Sequence, residues 1–95
     1  MEIRENMGRI VELIDNKQYK EAMALVRESF EGLKTLILYL GENNIIEINE
    51  LNQLSENLVS SIENEDMFLL RDIMKYALIS VYDQLFTEEE TDVQN

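Results

Sequence analysis

Any chemistry in this chain has to rest on carboxylates. Its 95 residues include 20 Asp and Glu but no His and no Cys. Without His, the usual general base at neutral pH and the commonest transition-metal ligand are missing. Without Cys there is no thiolate nucleophile, no disulfide and no zinc site of the Cys type. Ser29, Ser55, Ser60 and Ser61 lack an adjacent base and fall mid-helix, away from any sharp nucleophile turn. No Gly-rich loop cradles phosphates, and no D-x-D-x-D-G loop binds calcium.

Helical bundles do carry di-iron sites on inward-facing Glu and Glu-x-x-His pairs. Here Glu12, Glu28, Glu31 and Glu56 fall between apolar positions and so face water. The acidic turn Glu63-Asn64-Glu65-Asp66 reads as helix capping in preference to a cation site. Asp72 is the least ordinary acid, set in Leu69-Leu70-Arg71-Asp72-Ile73. It either reaches a helix terminus, pairs with an Arg across the bundle, or lies on a flank beside Lys75 and Tyr76. The flank position is the simplest account. The sequence thus assigns no catalytic, cofactor-binding or metal residue, and a non-enzyme is expected.

The formal net charge is −12, from 20 acidic and 8 basic residues. A phosphate backbone or an anionic membrane surface would be repelled, so neither nucleic acid nor membrane is expected as a partner. The start, MEIRENMGRIVELID, has no apolar segment of the secretory kind. The longest apolar run, Leu36 to Leu40, is far short of a membrane span. A cytoplasmic protein is expected.

Elements with helical periodicity must position these residues. There is no Pro and only three Gly, which disfavours a turn-rich β fold. Helix 1 is expected over about residues 2–15, with Ile3, Met7, Ile10, Val11 and Ile14 on one face. Asp15 and Gln18 are expected to form a capping box for helix 2. Helix 2 runs to Leu40 on a stripe of Tyr19, Met23, Val26, Phe30, Leu33, Ile37 and Leu40, spaced alternately by four and three. Gly41 is expected as its left-handed terminator.

Asn44 with Glu47 offers a cap for helix 3, over about residues 45–64, with Ile48, Leu51, Leu54, Leu58, Val59 and Ile62 inward. Helix 4 follows over about 66–86, with Leu70, Ile73, Met74, Ala77, Val81 and Leu85 inward. Residues 87–95 read as an acidic, disordered tail, leaving 1–86 as a single domain.

A weak repeat runs through the chain at an offset of 48. Val11, Ile14 and Asn16 align with Val59, Ile62 and Asn64, and Val26, Phe30 and Leu33 fall on Met74, Leu78 and Val81. Each half is a shorter helix, a tight acidic turn and a longer helix. The expected fold is all-α, a four-helix bundle of two αα-hairpins; the alignment of the halves is either a pseudo-twofold duplication or the match that any two amphipathic hairpins give.

The helices carry more apolar residues than one stripe needs. Helix 2 adds Leu25, Leu36, Leu38 and Tyr39, and helix 4 adds Phe68, Ile79, Tyr82 and Phe86. Either the core is broad, or the surplus forms a patch for a partner. On the second account the candidate interface is Leu36, Tyr39, Phe68, Tyr76, Ile79, Tyr82 and Phe86, with aromatic anchors and an acidic rim. The expected function is a non-catalytic protein-interaction module, adaptor or chaperone-like. It would bind a helical or amphipathic partner segment on a face lined by helices 2 and 4, and would itself be a homodimer. The alternatives are a purely structural or regulatory homodimeric bundle and, further off, a carboxylate-based metal protein or enzyme.

The run Asn64-Glu65-Asp66-Met67-Phe68-Leu69-Leu70-Arg71-Asp72-Ile73-Met74-Lys75-Tyr76-Ala77-Leu78 resembles the N-x-D-x-x-L-L-x-D-I-x-x-Y-x-L end of small bacterial helical proteins of the low-GC Gram-positive type. A segment similar to Phe30-Glu31-Gly32-Leu33 occupies their middle helix. The chain departs from that pattern at Ala77, where the group tends to have Glu, and in lacking a C-terminal Pro. The resemblance implies a bundle in a bacterial cytoplasm and carries over no catalytic residue. A looser likeness, in size, charge and helicity alone, is to flagellar export chaperones.

Overall fold

The structure, a computed structural model, describes residues 3–86; the expected tail at 87–95 lies outside the described residues. Four helices follow one another: α1 (Ile3–Asp15), α2 (Tyr19–Glu42), α3 (Ile48–Glu63) and α4, which starts as an α-helix (Met67–Asp72). α4 continues through a π-helical segment (Ile73–Ile79) and ends helical over residues 80–86. No strand occurs among the described residues. α1 packs on α2 and on α4, and α3 closes the opposite side against the same two helices. This is the expected four-helix bundle of two αα-hairpins, with α2 and α4 on one diagonal.

Each helix is set by apolar residues returning every three or four positions. Met7, Ile10, Leu13 and Ile14 of α1 are buried against Met23, Val26, Leu33 and Leu40 of α2 and Leu70, Met74 and Leu78 of α4. α2 is buried over a wider arc than one stripe. Ala22, Ser29 and Leu36 join its core, while Tyr19 is exposed and Phe30 half-buried. The reason is that α2 has a neighbour on each side. Ser29 accepts a 2.9 Å hydrogen bond from Asn6 of α1, and Gly41 lies against Leu51 of α3.

Three tight turns stop and restart the chain with one device. An Asn is followed by a residue in the left-handed region: Lys17 (φ 62°), Asn44 (φ 57°) and Glu65 (φ 51°). In each turn two backbone N–H groups bond back into the helix just ended. Lys17 donates to Ile14 (2.9 Å) and Gln18 to Leu13 (2.8 Å). Asn44 donates to Gly41 (3.1 Å) and Ile45 to Leu40 (2.9 Å), and Glu65 to Ile62 (3.3 Å) and Asp66 to Ser61 (2.9 Å). These paired bonds satisfy carbonyls that a helix end otherwise leaves free. The first and third turns match bond for bond at the offset of 48 and restart a helix one residue later. The second shares the cap but runs on to Glu47 before α3 begins.

Several expected caps are corrected by these turns. Asp15 ends α1 and caps nothing; Gln18 precedes α2 with no side-chain cap bond and donates to Glu21 instead. Gly41 is an ordinary helical residue of α2. Its lack of Cβ is used for space, since a Cβ there would come within 2.5 Å of Leu51 Cδ2. Asn44 terminates α2 and does not cap α3, which starts at Ile48. Asp66 does cap α4, its carboxylate accepting from the Leu69 N–H at 3.1 Å.

Two further features hold α4 in place. Arg4 grips Asp83 with two hydrogen bonds, from Nε (2.8 Å) and Nη2 (3.3 Å), tying the start of α1 to the last turns of α4. The π-helical segment widens the turn, so that residues four apart, Leu70, Met74 and Leu78, all stay in the core. Ala77, Val81 and Leu85, expected inward on α-helical spacing, are only half-buried. No Gly or Pro marks this segment in the sequence.

Left-handed backbone costs a non-glycine residue about 1–2 kcal/mol, against about 0.5–1 kcal/mol of extra chain entropy for Gly. Lys17→Gly and Glu65→Gly are therefore each expected to raise the unfolding free energy by about 0.5–1 kcal/mol. Urea titrations followed by circular dichroism check this, and an unchanged or lowered midpoint for both contradicts it.

Candidate functional site

The polar side chains serve the fold. Arg71 bridges from α4 to Asp15 at the end of α1 (3.2 Å) and also reaches its neighbour Asp72 (3.4 Å). Its guanidinium pKa is raised, first by the hydrogen bond to Asp15, so it stays charged at any working pH. Its Nε is buried without a partner. Asp72 is exposed and, among the described residues, pairs only with Arg71, while Lys75 lies 5.4 Å over the Tyr76 ring. Among the described residues, no group of three or more Asp or Glu gathers closely enough to hold a metal ion.

The seven residues singled out as a candidate interface do not form one face. Leu36 is 7% exposed and belongs to the core. It is removed from the candidate surface. Ile79 is half-buried against the core, as is Tyr82, whose ring centroid stands 4.5 Å from that of Phe86. Tyr39 and Phe86 are exposed, and Phe68 (66%) and Tyr76 (65%) strongly so. Phe68, Asp72 and Tyr76, four residues apart, line the outward side of α4. Where the first turns of α2 approach the start of α4, a hollow of ≈ 420 Å³ is lined by Tyr19, Lys20, Met23, Arg27, Glu65 and Met67, and it contains none of the seven.

The apolar surface lies along α3 instead. α3 is the least covered helix: only Leu58 and Ser61 are buried, and Leu51, Leu54 and Ile62 are half-buried. Ile48 (63% exposed) and Val59 (42%), expected inward, face outward. Between α2 and α3 runs a cleft of ≈ 190 Å³ lined by Phe30, Ile37, Leu38, Leu58 and Val59, with Lys34 and Ser55 as its polar members. Leu38 stands at its mouth, 55% exposed. A second hollow adjoins it, sharing Ser55 and Val59 and adding Glu56, Ser60 and Glu63. On the far side of α3, Leu54, Ile73, Tyr76 and Ala77 floor an open groove edged by Glu50 and Asp72.

Periodicity alone missed this cleft because Phe30, Ile48 and Val59 satisfy the helical stripe equally well. A signal does exist in the charges. No Lys or Arg occurs between Lys34 and Arg71, while Glu42, Glu47, Glu50, Glu56, Glu63, Glu65 and Asp66 all fall there. α3 and its flanking turns are purely acidic.

The architecture and the surface define a small all-α module, a four-helix bundle with one under-covered helix. A family model described as a domain of unknown function (DUF8042) matches residues 2–88, and the chain belongs to that family. No curated protein and no solved structure matches the chain. No described helix is long and apolar enough to cross a membrane.

Core and cleft respond differently to substitution. Leu58→Ala empties a buried site and is expected to cost about 2–4 kcal/mol. Leu38→Glu and Val59→Glu, at exposed positions, are expected to change stability by no more than about 0.5 kcal/mol. Thermal and urea unfolding of the three variants checks the contrast. A large loss for Leu38→Glu would place that side chain in the core.

Proposed function

We propose that this chain is a non-catalytic protein-interaction module, adaptor or chaperone-like, acting in the cytoplasm. It binds a helical or amphipathic segment of a partner protein in the cleft between α2 and α3. The observation that supports the reading is the cleft itself. Its lining is almost wholly apolar, and its mouth is formed by Leu38 and Val59, which the chain's own core leaves uncovered. Grooves between two helices receive the apolar face of a third helix at positions spaced i, i+3/i+4 and i+7. The occupant is therefore a helix with one apolar stripe. Nucleic acid and anionic membrane remain poor partners for a chain of net charge −12.

A structural homodimer is the second reading, and a different surface favours it. Phe68 and Tyr76 stand out from α4 with Asp72 between them and Lys75 alongside. This face carries both signs of charge, so two copies in antiparallel contact can set Lys75 of one near Asp72 of the other.

Site-specific photo-crosslinking in the native cell separates the two. A photoreactive residue at Leu38 is expected to trap a discrete second polypeptide, identified by mass spectrometry, and to lose it when Val59→Glu is added. One at Glu28, exposed elsewhere on α2, is expected to trap nothing. A product of twice the chain mass, trapped from Tyr76, marks the homodimer. No product from Leu38 removes the interaction reading of the cleft.

A further inference from the structure

The cleft between α2 and α3 is apolar inside and acidic around. On its α3 side it adjoins, across Ser55 and Val59, the hollow bearing Glu56 and Glu63. Among the described residues neither takes part in an ion pair, and nor does any of the other five acids between Lys34 and Arg71. Of the basic side chains, Arg4 pairs with Asp83, Arg9 with Glu12, and Arg71 with Asp15 and Asp72, while Lys20 and Arg27 line a separate hollow with Glu65. Lys34, the one cation lining the cleft, lies 3.6 Å from Glu31. The carboxylates of Glu56 and Glu63 thus have no cationic partner among the described residues.

We propose that the occupant of this cleft is a cationic amphipathic helix, with Lys or Arg flanking its apolar stripe. The inference rests on the interaction reading above and adds the partner's charge. Apolar side chains entering beside Leu38 and Val59 would bring the flanking cations over Glu56 and Glu63. Unlike charges at that rim speed encounter and set orientation, whereas like charges oppose docking. The same carboxylates argue against a second copy of the chain at this face. Two copies meeting there would set the acids of two α3 helices against each other with only Lys34, already beside Glu31, to offset them, whereas the two-signed α4 face carries no such penalty.

The test uses the purified full chain and three synthetic helical peptides. Two share one Leu stripe and carry Lys or Glu on the polar face. The third has the composition of the Lys peptide with its Leu positions scrambled. Titration calorimetry and amide chemical shifts are the readouts. The Lys-faced peptide is expected to bind, to shift the amides of Leu38 and Val59, and to weaken about tenfold between low and high salt. The Glu-faced peptide is expected not to bind, and the scrambled one to bind about tenfold or more weakly than its amphipathic counterpart. Leu38→Glu should abolish the shifts while leaving the helical circular dichroism intact. Glu56→Gln with Glu63→Gln should weaken the Lys-faced peptide alone.

Equal binding by the Glu-faced peptide overturns the charge assignment and leaves the interaction reading standing. Equal binding by the scrambled peptide reduces the effect to bulk attraction and overturns the cleft as the site. Binding by none of the three overturns the inference, and the photo-crosslink at Leu38 then decides the broader reading separately.

Discussion

The contact of α1 with α2 and α4 carries the bundle. Met7 and Ile10 are wholly withdrawn from solvent, as are Val26 and Leu33 of α2 and Leu70, Met74 and Leu78 of α4. Each such side chain contributes about 1.5–3 kcal/mol by leaving water. α1 has only 13 residues, and from Met7 to Ile14 its apolar face is buried between two longer helices. The Arg4–Asp83 and Arg71–Asp15 pairs stand toward its two ends and hold α4 in register, although both are too exposed to contribute much stability.

α3 is what remains after that core is satisfied. A chain this short cannot bury every apolar side chain its helices carry. The shortfall falls on the helix with the fewest large inward residues. At the position equivalent to Leu13 in the repeat, α3 has Ser61, whose hydroxyl donates to the Leu58 carbonyl at 2.8 Å and so adds no apolar contact. With a small polar residue in that slot, α3 leaves its outer apolar positions uncovered. The cleft beside α2 thus goes with two hairpins that bury unequal apolar sets.

Charge segregation fits the same picture. Acids spread along α3 cost little in the folded monomer, because the helix is exposed and water screens them. They keep an apolar cleft soluble and discourage pairing of like copies there, which is how an exposed apolar patch avoids non-specific association.

Much of the fold was legible in the residues. The absence of Pro, the stripes in α1 and α2 and the acidic turns at an offset of 48 specified four helices in two hairpins, because helical periodicity is a local property of the chain. The caps were less legible. The same Asn-X cap closes all three turns, yet Lys17 and Glu65 take the left-handed position without the Gly or Asn that would announce it, and Gly41 serves packing instead.

The candidate surface was the least legible part. An apolar residue such as Leu36 or Val59 satisfies the same spacing whether it points at a neighbour or at water. Only the packing of the helices against one another decided that Leu36 is core, that Val59 is surface, and that the cleft lies beside α3. Helix type and hairpin order were set by the sequence through short-range periodicity. Which apolar face stays uncovered was set by tertiary structure, because burial depends on what stands opposite.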